Sequence, residues 1–144
     1  MRVLHVVKTS DGAAWAAKLA AKLSALGVEV HVALPSLDGR AIAYWQRSGA
    51  TLHACYLDVP VHHPGQLPGV IRNARRLIAE IAPDVIHSHF VGTTLMLRLA
   101  LGKCHPIPRI FQVPGPLHLE HSFYRRLELS LAGDLRYLSH RDEL

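Results

Sequence analysis

The strongest constraint on the fold lies in the first 34 residues. Arg2 to Val7 (RVLHVV) is a short apolar run, the pattern of a strand buried on both faces. A loop from Lys8 to Gly12 follows. Apolar positions at Trp15, Ala16, Leu19, Ala20, Leu23 and Leu26 then paint one face of a helix, and Gly27 supplies its stop. Val28 to Leu34 (VEVHVAL) alternates as a second strand, closed by Pro35. Such a β-α-β unit crosses over right-handedly, so its two strands are expected to lie parallel.

The unit then repeats. Asp38 to Ser48 suits a short helix ended by Gly49, and Thr51 to Leu57 a third strand. After the Pro- and Gly-rich loop Val59 to Gly69, a stripe at Val70, Ile71, Ala74, Leu77, Ile78 and Ile81 predicts a helix that stops at Pro83. Asp84 to His87 reads as strand four, Thr93 to Leu101 as a helix and Arg109 to Val113 as strand five. A helix over Glu120 to Ala132 and a sixth strand at Leu135 to Ser139 complete the series. The expected class is α/β: a doubly wound, mostly parallel Rossmann-like sheet of about six strands with helices on both faces. A length of 144 residues, 49% of them apolar, fits one domain with a substantial core.

Composition and missing motifs exclude several classes. The +5 formal charge favours anionic partners, but the basic residues are scattered and not interleaved with aromatics, so no nucleic-acid partner is expected. Cys55 and Cys104 cannot make a disulfide framework. No apolar run reaches the ~18 residues of a spanning helix, and the chain reads as cytoplasmic. Gly12 stands alone, without the three-glycine dinucleotide fingerprint or a Walker loop. A nucleophile elbow is missing too.

In a doubly wound sheet ligands bind where the strand order reverses, here between strands one and four of the expected order 3-2-1-4-5-6. The loop after strand one offers Asp11 and Gly12 at a helix start, a seat for a phosphate or sugar; alternatively Ser10 or Asp11 caps the helix and Gly12 eases the turn. His87 and His89 close strand four two residues apart, so both imidazoles project to one face, suited to hydrogen-bonding a sugar or diphosphate. No Cys or acid lies close in sequence to complete a ligand set, so neither a metal nor a cofactor is expected. After strand five, the turn Val113 to His121 carries Gly115, His118 and Glu120. His118 and Glu120 are the catalytic candidates; Glu120 also suits a first-turn acid facing the helix dipole.

The ordered set RVLHVV, a Gly-bearing loop into an Ala-rich helix, LGVEVHVALP, and PDVIHSHF followed by a strand and a Pro-Gly/His turn resembles family 4 glycosyltransferases over nearly the whole chain. The resemblance implies a GT-B enzyme whose N-terminal domain binds the acceptor and whose second domain binds a UDP- or GDP-sugar. It also implies synthesis of surface polysaccharide or glycolipid on a glycan or lipid-linked acceptor, with peripheral contact at the inner face of the membrane. Gly12 and His87 or His89 match by position. Asp11-Gly12-Ala13-Ala14 carries one glycine where the family often has two, and Pro114 stands where a histidine is usual, with His118 four positions on.

On this reading residues 1–144 are one Rossmann-like domain, the acceptor-side half. The donor-binding C-terminal domain, or a separate subunit supplying it, is the expected partner, and the half alone is expected to be inactive. Arg72 to Arg76 and Arg125 to Arg126 suit an anionic membrane or lipid diphosphate, or else form solvated helix faces. The alternative function is a non-catalytic α/β module binding a nucleotide or phosphorylated ligand.

Overall fold

A computed structural model describes residues 1–112 together with Ser122, Arg125, Arg126 and Ser130. Its strands are β1 (Arg2–Val6), β2 (Glu29–Leu34), β3 (Thr51–Ala54), β4 (Val85–His89) and β5 (Arg109–Gln112), all parallel, in the order β3-β2-β1-β4-β5. This is the expected order for those five. The segments expected as the last helix and sixth strand lie outside the described residues.

Helices α1 (Ala14–Ala25) and α2 (Ile42–Arg47) pack on one face, α3 (Leu67–Ile81) and α4 (Val91–Leu101) on the other. Alternation along the strands assigns each side chain. Leu4, Val6, Ala33 and Ile86 meet Val70, Ala74, Leu77 and Ile78 of α3 and Met96 and Leu97 of α4. On the opposite face Val30, Val32 and Leu34 meet Ala16, Ala17 and Ala20 of α1 and Trp45 of α2. Fully burying one such aliphatic side chain contributes about 1.5–3 kcal/mol, so both layers of helix are held chiefly by apolar contact.

The stripe on α3 buries as its spacing predicts, with Pro68 tolerated in the first turn and Ala82, in the left-handed region, ending the helix before Pro83. The stripe on α1 does not. Its buried residues are Ala16, Ala17 and Ala20, while Trp15 is 40% and Leu26 80% exposed. Small side chains let α1 lie close to the sheet, and the larger residues are turned to its margins. The second helix begins at Ile42 rather than Asp38 because residues 37–41 are committed to a turn against the first loop. The third strand ends at Ala54, three residues short of its expected end, although Cys55 N still donates to Leu34 O at 2.8 Å. The Pro-rich loop contains a 3-10 turn at Pro64–Gln66. The fourth strand starts at Val85, with the Asp84 carboxylate accepting Arg2 N at 2.6 Å, and runs on to His89 because its pairing with β5 continues to His89 opposite Gln112.

Candidate functional site at the switch point

Strands β1 and β4 are hydrogen-bonded neighbours, and the connections leave them in opposite directions, which opens a crevice at their C-terminal ends. The loop after β1 forms one wall. Ser10 and Asp11 do not cap α1, whose N-cap is Ala13 with φ 61° and which has no side-chain cap. Ser10 Oγ instead donates to Ser36 O at 2.7 Å and accepts from Ser36 N at 3.0 Å, while Ser10 O accepts from Ala41 N at 2.9 Å. Asp11 Oδ1 accepts from Arg40 N at 3.0 Å. The polar groups that local spacing offered to the helix are therefore spent tying the β1 loop to the β2 loop. The start of α1 carries neither a side-chain cap nor an acidic residue in its first turn.

The closest approaches to other parts of the protein are at Gly39 and Gly92 rather than Gly12. A Cβ on Gly12 would meet only Thr9 Cγ2 at 3.5 Å, an ordinary contact. On Gly39 it would fall 2.2 Å from Ser10 O, and on Gly92 1.8 Å from Asp58 Oδ1. Gly39 lets the β2 loop close on the β1 loop, and Gly92 lets α4 start against Asp58. Asp58 accepts from Val59 N at 2.8 Å through Oδ1 and pairs with Lys8 Nζ at 3.6 Å through Oδ2. Residues after β1, β3 and β4 thus converge at the crevice. Asp58 carried no sequence signal, since its partners Lys8 and Gly92 are far away along the chain.

The turn from β4 into α4 is strained and strongly braced. Phe90 has φ 79° and ψ 156°, a region that glycine alone adopts without penalty. Thr93 Oγ1 donates to His89 O at 2.5 Å, Thr94 Oγ1 approaches Phe90 O at 2.9 Å, and Ser88 and Thr94 share a hydroxyl hydrogen bond of 2.7 Å. The Phe90 ring packs against the α1 side of the core and stands edge-on to Trp15 at 6.4 Å.

His87 and His89 do share a face, with ring centroids 4.2 Å apart. They are turned into the core beside α1, 9% and 0% exposed. A third imidazole joins them: His5, 0% exposed, is the register partner of His87. Its ring stacks on His89 with centroids 5.2 Å apart, and Nδ1 of His5 lies 2.9 Å from Nε2 of His89. Burial pushes His5 down to about 3, helped by His87, and His89 down to about 2, helped by His87 and His5. Burial also lowers His87, against a side-chain hydrogen bond to Gln112. All three rings are neutral near pH 7, and one ring of the His5–His89 pair donates while the other accepts. Trp15 covers His89 edge-on at 5.1 Å. Sequence reasoning missed His5 because it sits inside an apolar strand with no local mark; only its pairing with β4 gives it company.

Gly115, His118 and Glu120 lie outside the described residues. His62 and His63 are exposed in the proline loop. Cys55 is half-buried, and burial raises its thiol, outweighing the nearby Arg76; Cys104 is exposed. Among the described residues no helix is long and apolar enough to cross a membrane.

A parallel doubly wound sheet with its crevice at the β1/β4 reversal defines a Rossmann-like domain, and comparison with solved structures places it beside a glycosyltransferase. The crystal structure of glycosyltransferase VinC in complex with dTDP aligns with a TM-score of 0.55 at 16% identity, over 99% of this chain and 41% of that one. The family model for glycosyltransferase family 4 matches residues 12–141, and the chain belongs to that family. No curated protein matches the chain.

Proposed function

We propose that the chain is the acceptor-side domain of a glycosyltransferase that moves a sugar from a nucleotide-sugar, UDP- or GDP-linked, to a glycan or lipid-linked acceptor. The family match supports the transferase reading. The observation that carries the acceptor role is the start of α1 at the crevice, which has neither a side-chain cap nor a first-turn acid, whereas the start of α4 already faces the Asp58 carboxylate. An uncapped positive helix end favours an anionic group such as an acceptor diphosphate. His118 and Glu120 are the proposed catalytic residues, with Asp11, Gly12 and Gly115 proposed to contact substrate. Since the chain spans 41% of the VinC chain's length, a donor-binding domain, in the same protein or a partner, is proposed to complete the site.

Synthesis of surface polysaccharide at the inner face of the membrane is the proposed setting. Two of the arginines on α3 are already engaged: Arg75 Nε donates to Ala100 O at 2.6 Å, and Arg76 pairs loosely with Glu80 at 3.9 Å. Any membrane contact therefore falls mainly to the exposed Arg72, Arg125 and Arg126.

The test is calorimetric titration of the chain with UDP-glucose and GDP-mannose, beside a transfer assay on the protein that carries a donor domain. Weak or no nucleotide binding by the chain, with transfer by the longer protein, is the expected result. Micromolar nucleotide binding by the chain alone would favour the non-catalytic binding module instead.

A further inference from the structure

We propose that His5, His87 and His89 form a buried divalent transition-metal site, a three-imidazole set for a zinc-class ion. The proposal is independent of sugar transfer. Each residue offers a ring nitrogen, and these three atoms lie within 4.8 Å of one another, all on buried residues. His5 and His89 hold their facing nitrogens 2.9 Å apart. Tetrahedral ligands at the usual zinc–nitrogen length sit about 3.3 Å from one another. The observed spacings bracket that value, so side-chain torsions can close the set without moving the strands.

The scaffold suits such a site. His5 and His87 are paired across adjacent parallel strands, and His89 follows two residues on, so all three rings share one face. The turn beyond His89 is braced by Thr93. The cluster also holds unspent polar atoms: His5 Nε2, His87 Nε2 and His89 Nδ1 are buried without a hydrogen-bond partner among the described residues, as is the neighbouring Trp45 Nε1.

Coordination through both facing nitrogens requires only that the proton shared by His5 and His89 pass to an outer nitrogen, so the rings stay neutral and no proton is released. An all-imidazole set with no carboxylate favours zinc, cobalt, nickel or copper over magnesium or calcium. The objection available from sequence, that no third ligand lies near His87 and His89, is met by a residue 82 positions upstream of His87.

The experiment is titration of the EDTA-stripped chain with Co2+, followed by visible absorption, then displacement by Zn2+. One equivalent of cobalt with the strong absorption of four-coordinate geometry is expected. His5→Gln and His89→Gln should each weaken binding about tenfold or more, by analogy with losses at ligand-supporting positions. His31→Gln should leave it unchanged: His31 and His53 also pair at 2.9 Å, but His31 Nε2 is engaged by Glu29, and among the described residues only His5, His87 and His89 gather three ligand atoms. Zinc-induced shifts of ring nitrogen resonances in the unmodified chain give a reading that needs no variant. Shifts confined to three of the eleven histidines support the site. No cobalt binding, shifts spread over the exposed histidines, or binding that survives both His5→Gln and His89→Gln would overturn it.

Discussion

Nδ1 of His5 and Nε2 of His89 face each other at 2.9 Å, on adjacent strands, with neither side chain open to solvent. The contact needs one ring as donor and the other as acceptor, which two charged rings cannot supply. Burial has lowered His5 to about 3 and His89 to about 2, from 6.5 in the unfolded chain. Between those values the unfolded chain binds more protons than the folded one, so stability rises with pH. The full contribution is present above about pH 6.5 and is lost as pH falls toward 3. Between pH 6.5 and 5.5 the two histidines together should cost roughly 2 kcal/mol, by linkage. Urea unfolding of the chain in EDTA, repeated across this range, checks it. Replacing either histidine by glutamine should lower the slope, the remainder coming from its partner and from His87, which burial also lowers; a flat profile in the unmodified chain would show that the rings are not held neutral.

Three glycines around the crevice separate packing from ligand contact. Gly39→Ala drives a Cβ into the backbone of Ser10 and should cost about 1–3 kcal/mol. Gly92→Ala meets the end of the Asp58 side chain, which can turn away at the expense of Val59 N and Lys8; about 1 kcal/mol is expected. Gly12→Ala has room and should stay within about 0.5 kcal/mol. Thermal melts of the three variants decide this. If Gly12→Ala is stable and yet lowers transfer by the longer protein, Gly12 is held for the ligand and not for the fold.

Phe90 predicts a reversal of an ordinary ranking. Glycine normally destabilises relative to alanine, but at φ 79° and ψ 156° alanine carries the backbone strain and glycine does not. Both substitutions lose the ring's packing against Trp15. Phe90→Gly should therefore be more stable than Phe90→Ala by about 1 kcal/mol, measured by chemical denaturation. The usual order would mean that the turn relaxes once the ring is gone.

The arginines of α3 divide the same way. Arg75→Ala strands the Ala100 carbonyl at the end of α4 and should cost about 1 kcal/mol, whereas Arg72→Ala should fall within about 0.5 kcal/mol. Sedimentation with anionic vesicles at low salt tests the membrane reading. Loss of binding in Arg72→Ala with stability intact would support it, and absence of binding by the unmodified chain would end it.

Apolar runs and helical stripes are local, and they carried the architecture. RVLHVV reads as a strand buried on both faces, VEVHVAL as an alternating one and Asp84 to His87 as a fourth, and each forms within a residue or two of those bounds. The β-α-β order with right-handed crossovers then predicted β3-β2-β1-β4-β5 and placed the crevice between β1 and β4. His87 and His89 were also legible as a pair, since strand alternation alone puts them on one face.

Partners distant in sequence were decided by the tertiary structure. Ser10 and Asp11 carry the residue types of a helix cap, but Ser36, Ala41 and Arg40 compete for the same atoms and win, so α1 begins uncapped. Trp15 follows the helical stripe yet sits partly exposed, because alanines at 16, 17 and 20 bring α1 down onto the sheet. Asp58 reached Lys8 and Gly92 only when three loops converged. His5 became part of a histidine cluster through one register pairing with His87. Periodicity is a property of a segment and can be read along the chain. Register, loop closure and the sharing of polar atoms are settled only when separate segments pack together, and they determine the chemistry of this crevice.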